Sequence, residues 1–429
     1  MNGRNFTQTL LLATGLLLAS SELSFAQFSL SAEIRPRAEF RDGFKTVRTE
    51  EESPAFFIEQ RSRLNANYQS DKLRLRLALQ DVRVWGHTSQ VYKADPSLFN
   101  VYEAYGEYQL TPRWAVRVGR QELDYDNARF LGNLDWAQQG RSHDAVRFMY
   151  ADTTGFAVHA GAAFNQQVPF EPAKLTSTFY GGIDNYKTMQ YLWLHKEWGE
   201  AKFSGLLFND GRQRASDSTV FFRQTYGVLG EKTIGLLRLG GELYYQGGKD
   251  AAGTRVNAYL AAISATFVTR FSPLTIGADY LSGSEASDPR NKAFVPLYGT
   301  NHAFYGLMDY FYVGNNHGQS GRTAGLADLY LKTNFKLGQK STLLAQVHRF
   351  VSPATVYSPV EGEGELASRL GEELDLVYNR NISPDFNLKA GYSQLYATES
   401  MEALKGKTGK SFNQWAWVML TFKPVLFKQ

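Results

Sequence analysis

From Ser29 to Arg41 the chain alternates without a break. Leu30, Ala32, Ile34, Pro36, Ala38 and Phe40 fall on one face of an extended strand, and Ser31, Glu33, Arg35, Arg37, Glu39 and Arg41 on the other. One face is therefore apolar and the other is built from charge. The same period of two returns to the C-terminus, from Phe56–Tyr68 and Leu73–Trp85 through Leu274–Leu281 to Gln414–Phe422. A soluble sheet can show such a pattern once, but strands of this kind repeated along the whole chain, with tight turns alternating with long polar loops, are how a closed transmembrane barrel reads. They are accommodated when the sheet closes on itself with oil outside and water inside, and this predicts an all-β, transmembrane antiparallel β-barrel.

Runs bounded by Gly, Pro, Asn or Asp divide the chain into about 18 strands. The third strand changes parity near Asp81, where Val82 and Val84 take over the apolar set, and this predicts a bulge there. Ser70-Asp71, Thr111-Pro112-Arg113, Asp152-Thr153, Gly199-Glu200, Glu231-Lys232-Thr233, Gly338-Gln339-Lys340 and Asn381 to Asp385 are short connections, and the connections between them are mostly longer. The longest are Gly283 to Gly325 and Val351 to Glu372. Barrels of the bacterial outer membrane sort their loops in this way, with short turns in the periplasm and long loops outside. No repeat or composition break marks a second domain, so residues 27–429 are expected to form a single barrel.

Residues 1–26 have Arg4, an apolar run from Leu10 to Ala19 and the small-residue site Ser24-Phe25-Ala26, the features of a secretory signal peptide. The run is shorter than the roughly 20 residues a spanning helix needs. The 24 Tyr, 29 Phe and 7 Trp suit aromatic girdles at the two membrane interfaces. There are no cysteines, which excludes cysteine chemistry, and 46 basic against 42 acidic residues is too even a balance to imply nucleic acid. The closing strand, with Trp415-Ala416-Trp417 and Phe422, has the alternation expected for recognition by the barrel-insertion machinery.

Arg35, Arg37, Arg61, Arg63, Arg74 and Arg76 lie on the polar faces of three consecutive strands, with Arg117 and Arg147 further on. An arginine at the bilayer midplane costs about 2–4 kcal/mol, so these side chains are expected to face the lumen and line the pore. Each guanidinium there can grip a carboxylate with two parallel hydrogen bonds, and the patch would raise the local concentration of anions. The competing reading is purely structural. Glu33, Glu39, Glu59, Glu103 and Glu107 share the same faces and can tie the arginines into cross-strand ladders.

The segment from Gly119 to Asp144 is dense in forked donors, carboxylates and amides. Arg120, Asp124, Tyr125, Arg129, Asp135, Trp136, Gln138, Gln139, Arg141 and Asp144 mark it as a loop expected to fold against the inner wall, narrow the channel and contact sugar hydroxyls. Gly119-Arg120-Gln121, Asp124-Tyr125, Arg129, Leu131-Gly132, Asp135-Trp136, Gln138-Gln139-Gly140-Arg141-Ser142 and Asp144 resemble the signature of the alginate export family of outer-membrane barrels. Leu297 to Phe311 is similar to what family members carry in a long loop. The resemblance implies an 18-stranded barrel with an electropositive, arginine-lined pore whose type member passes polyuronate. That type member gates with an extracellular and a periplasmic loop, whereas every connection assigned here to the periplasm is short.

Ser142-His143-Asp144 has the residue types of a hydrolytic triad, but neighbours on a strand point to opposite faces and cannot converge. The seven histidines lack metal-ligand spacing, and the acidic run Glu361 to Glu365 lacks the order of a calcium loop, so no metal or cofactor is expected. The reading is thus a monomeric channel, not an enzyme, in contact with outer-membrane lipid and passing an anionic saccharide or organic acid. A nutrient-uptake porin of the same fold, a barrel-embedded hydrolase and a soluble carbohydrate-binding protein are the alternatives.

Overall fold

The computed structural model describes residues 27–87, 99–166, 185–214, 216–269, 272–311, 315, 317–409 and 412–429. The expected signal peptide, residues 1–26, lies outside the described residues. The wall strands are β1 (Gln27–Asp42), β2 (Ala55–Gln69), β3 (Leu73–Val84), β4 (Phe99–Gln109), β5 (Trp114–Gln121), β6 (His143–Ala151), β7 (Phe156–Phe164), β8 (Thr188–Trp198) and β9 (Ala201–Gln213). They continue with β10 (Val220–Ile234), β11 (Leu237–Gly248), β12 (Ala258–Phe267), β13 (Leu274–Leu281), β14 (Leu326–Lys336), β15 (Ser341–Val351), β16 (Arg369–Ser383), β17 (Phe386–Ala397) and β18 (Phe412–Phe422).

Each strand pairs antiparallel with the next, and β1 closes the ring by pairing with β18, Arg37 opposite Met419 and Arg41 opposite Trp415. Pro424 has no amide hydrogen to give the ladder, so the last stave breaks there and resumes as Val425–Lys428, still paired with β1. The sheet of nineteen segments among the described residues is therefore a closed barrel of 18 staves.

The burial pattern is inverted relative to a soluble protein. Along β1, Glu33, Arg35, Arg37 and Glu39 are buried while Ile34 between them is exposed. The outer face carries Leu243, Ile263 and Ile276, each more than 60 % exposed. Trp114, Trp198, Phe267 and Phe335 stand near the short-turn end and Phe56, Trp85, Phe99 and Phe412 near the other, forming two aromatic girdles around an apolar band. About half of the buried apolar side chains, among them Leu131, Tyr298, Met308 and Tyr310, come from loops folded into the bore, and the rest from inward positions of the wall strands.

Three details differ from the sequence reading. The turn expected at Glu231-Lys232-Thr233 is strand, because β10 runs on to Ile234 and reverses at Gly235-Leu236. Likewise β16 continues to Ser383, and its turn is Pro384-Asp385. The register shift sits opposite Ala78 and Leu79, with Tyr102 of β4 as the extra residue, and β3 itself pairs with β2 without a slip. Asp81 and Arg83 keep the outward parity of Leu79 and pair with each other at 2.6 Å beside Trp85. The apolar alternation ends there because the strand has passed the hydrocarbon band, so outward side chains meet water.

All connections on one end are short, and the long ones all leave the other end, so the short-turn end faces the periplasm. Placing a charge in the apolar band tests the assignment of the outer face. Leu243→Arg, near the middle of β11, is expected to lower stability by about 2–4 kcal/mol in a denaturant titration of vesicle-embedded protein.

Candidate functional site: a bore crossed by two interlocked loops

The loop between β5 and β6 folds inward and crosses the barrel. At one end Asp135 takes Arg35 Nη1 of β1 at 3.2 Å and Arg61 Nη2 of β2 at 2.9 Å. At the other, Arg129 donates Nε to Glu242 of β11 at 3.0 Å and Nη1 to Asp279 of β13 at 2.7 Å. In a ring of 18 staves, β2 and β11 are on opposite sides. The stretch from Arg129 to Asp135 reaches at most about 25 Å when extended, so long side chains from both walls are needed to complete the span.

The loop between β13 and β14 lies across the first. Leu131 bridges Tyr298 in parallel, Thr300 N donates to the Ala128 carbonyl at 2.8 Å, and Arg141 Nη1 donates to the Gly299 carbonyl at 2.9 Å. At the crossing a Cβ on Gly132 would stand 2.3 Å from Thr300 Oγ1, and one on Gly299 would stand 2.0 Å from the Arg129 carbonyl oxygen. Only glycine allows that approach. Tyr305 accepts a bond from Arg129 Nη1 at 3.0 Å, and Met308 N donates to Glu373 of β16 at 2.8 Å. Five non-glycine residues of these loops, Asp126, Ala128, Leu134, Tyr305 and Asp309, have positive φ. Such strain persists only where surrounding contacts over-determine the backbone.

Trp136 is the pivot of the apolar contacts. Its ring stacks on His302 at 4.3 Å, with the Arg37 guanidinium carbon 4.0 Å from its centroid, and it meets Trp417 at 4.8 Å. His302 is held by Asp309 at 2.8 Å. Burial alone would raise the Asp135 carboxyl, but Arg61, Arg35 and Arg63 hold it below the usual carboxylate range. Burial also opposes the Arg129 charge, and Asp279, Tyr305 and Glu242 more than restore it.

The eight arginines expected in the lumen all project from the inner face, but they divide into two groups. Arg35, Arg37, Arg61 and Arg63 are nearly sealed by the crossing loop and by wall carboxylates: Arg61 Nε meets Glu33 at 2.7 Å, Arg37 Nε meets Glu39 at 2.8 Å, and Arg63 Nε bonds Gln80 at 2.8 Å. Arg147 donates to Tyr125 Oη at 3.3 Å beneath the same loop. Arg74, Arg76 and Arg117, toward the periplasm, keep 55 %, 29 % and 19 % of their side chains exposed. Even these touch Glu107 or Glu103. Each of the five glutamates of the competing reading thus holds an arginine, while the crossing loop takes every guanidinium hydrogen bond of Arg35 and shares those of Arg37, Arg61 and Arg63.

Of the loop residues, Gln138 accepts from Arg35 Nε at 3.1 Å, and the Gln139 carbonyl accepts from Gln80 Nε2 at 2.9 Å. Tyr125 is packed inside, with its hydroxyl 3.0 Å from His159 and from Tyr191, whereas Asp124 is exposed. Arg120 and Asp144 are not part of the constriction. They share outward parity with Val118 and Phe148 and pair with each other at 2.9 Å on the outside of β5 and β6. The sequence reading missed Glu242 and Asp279, the carboxylates that anchor Arg129. Each is the lone acid on the inner face of its strand, which is a signal only once Arg129 is known to cross the bore.

Arg129→Met would leave two buried carboxylates facing each other, a loss of about 3–5 kcal/mol when one partner of a buried pair is removed. It is expected to free the loop, giving trypsin access to Arg141 and a higher mean single-channel conductance than the parent. Gly299→Ala, which pushes the two loops apart at the crossing, is expected to raise conductance in the same direction while leaving the strand signal in circular dichroism intact.

Comparison with known proteins agrees with this architecture. The chain is similar in fold to three Pseudomonas aeruginosa outer-membrane barrels. OccK9 (OpdG) is 12% identical, with a TM-score of 0.61 over 93% of this chain and 98% of the other. OpdL is 11% identical, with a TM-score of 0.62 over 93% and 99%. OccK2 (OpdF), solved in complex with glucuronate, is 10% identical, with a TM-score of 0.57 over 93% and 98%. None of the curated proteins compared matches the sequence. A family model described as alginate export matches residues 26–413. The chain belongs to the alginate export family, and its closed, loop-crossed barrel is that of an outer-membrane channel.

Proposed function

We propose that this channel passes an anionic saccharide or a related organic acid through a lumen whose basic wall selects for negative charge. The observation that carries the reading is the charge balance of the open part of the bore. Arg74, Arg76 and Arg117 share only Glu103 and Glu107, so one positive charge is left over beside water. Low-dielectric walls focus the field of such an excess into the lumen. Contacts that are already half satisfied suit a conducting path, because a solute must be able to leave each site as easily as it enters. Glucuronate bound by OccK2 (OpdF) and vanillate bound by OpdK are acids of this class in barrels of the same fold.

The size of the solute divides two readings. The family name favours a polymer, whereas the crossing of the bore by two loops favours a small acid taken up singly. Polymer passage predicts that blockade by oligouronates lengthens with chain length, and uptake of monomers predicts that only the shortest block.

The experiment is reconstitution in planar bilayers under a salt gradient. The parent is expected to prefer anions, and Arg74→Gln with Arg76→Gln is expected to reduce that preference by about fivefold, the size of a charge interaction of ~1 kcal/mol in water. Cation preference in the parent would overturn the reading.

A further inference from the structure

The periplasmic half of the bore holds a chamber that the arginine wall does not account for. A cavity of about 840 Å³ lies beneath the floor made by Asp135 and Trp136, walled mainly by β14–β18 with β1. A second space of about 420 Å³ shares Asn381, Asn387, Thr421 and Lys423 with it and reaches the turn at Pro384-Asp385. The two make one path from the periplasmic mouth up to the crossing loop. Its volume is that of a ligand site.

The charge on this wall differs from that on the arginine wall. Lys332 of β14, Lys389 of β17 and Lys423 project into the chamber with Arg35, against only Glu33 and Asp135, a surplus of two positive charges. Both acids are already engaged: Glu33 holds Arg61 at 2.7 Å with Lys423 at 3.7 Å, and Asp135 holds Arg35 and Arg61. Among the described residues no carboxylate lies within ion-pair distance of Lys332 or Lys389. The charge of Asp375 reaches Lys332 from two strands away, but that carboxylate is already bonded by Gln346 at 2.9 Å and by Ser393, so both lysines keep donors for a solute.

Between these cations runs a row of amides. Asn387 Nδ2 donates to Asn379 Oδ1 at 2.9 Å and to Asn381 Oδ1 at 2.7 Å. With their carbonyls used as acceptors, Asn379 and Asn381 keep their NH2 groups as donors on the inner face. Fixed amide donors between mobile ammonium groups match a sugar that carries both hydroxyls and a carboxylate.

We infer that this chamber is the uronate-binding site of the channel, reached from the periplasmic side, with Lys332 and Lys389 taking carboxylates and the Asn379–Asn387–Asn381 row taking ring hydroxyls. The inference rests on the anionic-saccharide reading above. It moves the recognition site from the arginines of β1–β3, which the crossing loop and their own glutamates occupy, to the adjoining wall of β14–β18.

The test uses the full chain in planar bilayers, with trigalacturonate or uncharged maltotriose added to one side at a time. Trigalacturonate added on the short-turn side is expected to block the parent current for longer than maltotriose does. Lys332→Gln with Lys389→Gln is expected to shorten that dwell by about tenfold, the loss of charge-assisted bonds, while Lys332→Arg with Lys389→Arg retains it. An unshortened dwell in the Gln pair, or equal blockade from the loop side, overturns the chamber and leaves the channel reading standing. A parent that treats trigalacturonate and maltotriose alike overturns both. Unchanged strand content of each variant by circular dichroism keeps a folding defect from imitating the result.

Discussion

In hydrocarbon no water is present to satisfy a free N–H or C=O, and each one left unpaired costs several kcal/mol. A sheet in a membrane therefore has to end where it began. The pairing of β1 with both β18 and Val425–Lys428 meets that demand, and the Pro424 interruption is tolerated because its carbonyl still accepts from Ala32 N at 3.1 Å. Closure makes one face of every strand an oil face and the other a lumen face. The alternation in β1, the outward Ile34 and the inward Arg35 all follow from it.

A lumen walled by charged side chains would be a wide and featureless hole without something to fill it. Here the filling comes from loops, and it is held by a few ion pairs set at opposite walls. Arg129 with Glu242 and Asp279, and Asp135 with Arg35 and Arg61, are rivets at the two ends of one short peptide. The Arg129 pairs are buried on both sides: such pairs add little net stability compared with apolar packing, but breaking one leaves an uncompensated charge, so they favour a single loop position over all others. Gly132 and Gly299 then let a second loop pack across the first. The arginine wall serves mainly as the anchorage of this plug, and the lysines of the chamber lie on the adjoining strands that close onto β1.

The fold was legible to an unusual degree because alternation in a barrel is enforced on both faces: an apolar residue turned inward and a charged one turned outward are each penalised. All the strands expected from the pattern are present, with ends displaced where polarity is a poor guide. Glu231 and Lys232 read as a turn because they are charged, yet they lie at the water-facing end of β10, where ladder hydrogen bonds continue beyond the oil. Asp81 and Arg83 read as a parity slip for the same reason. The inward folding of the loop after β5 was visible in its density of forked donors, but its partners were not, since Glu242 and Asp279 are more than a hundred residues away in the chain. Arg120 and Asp144 were grouped with that loop by proximity alone, although the strand period assigns them to the outer face.

The sequence by itself determined a closed barrel with its charge turned inward and its long loops on one end, because a period of two kept over the whole chain, with short and long connections sorted by end, fits a sheet closed between oil and water. It also marked the arginines as inward. Which of them keep access to water was decided only in three dimensions, since the answer depends on a loop that must bridge opposite walls and on glutamates brought alongside by register. The lysine and asparagine chamber likewise belongs to the tertiary structure: Lys332, Asn379 and Lys389 are unremarkable in their own strands, and they face one space because register aligns β14 to β17 and closure brings β1 and Lys423 round to complete it.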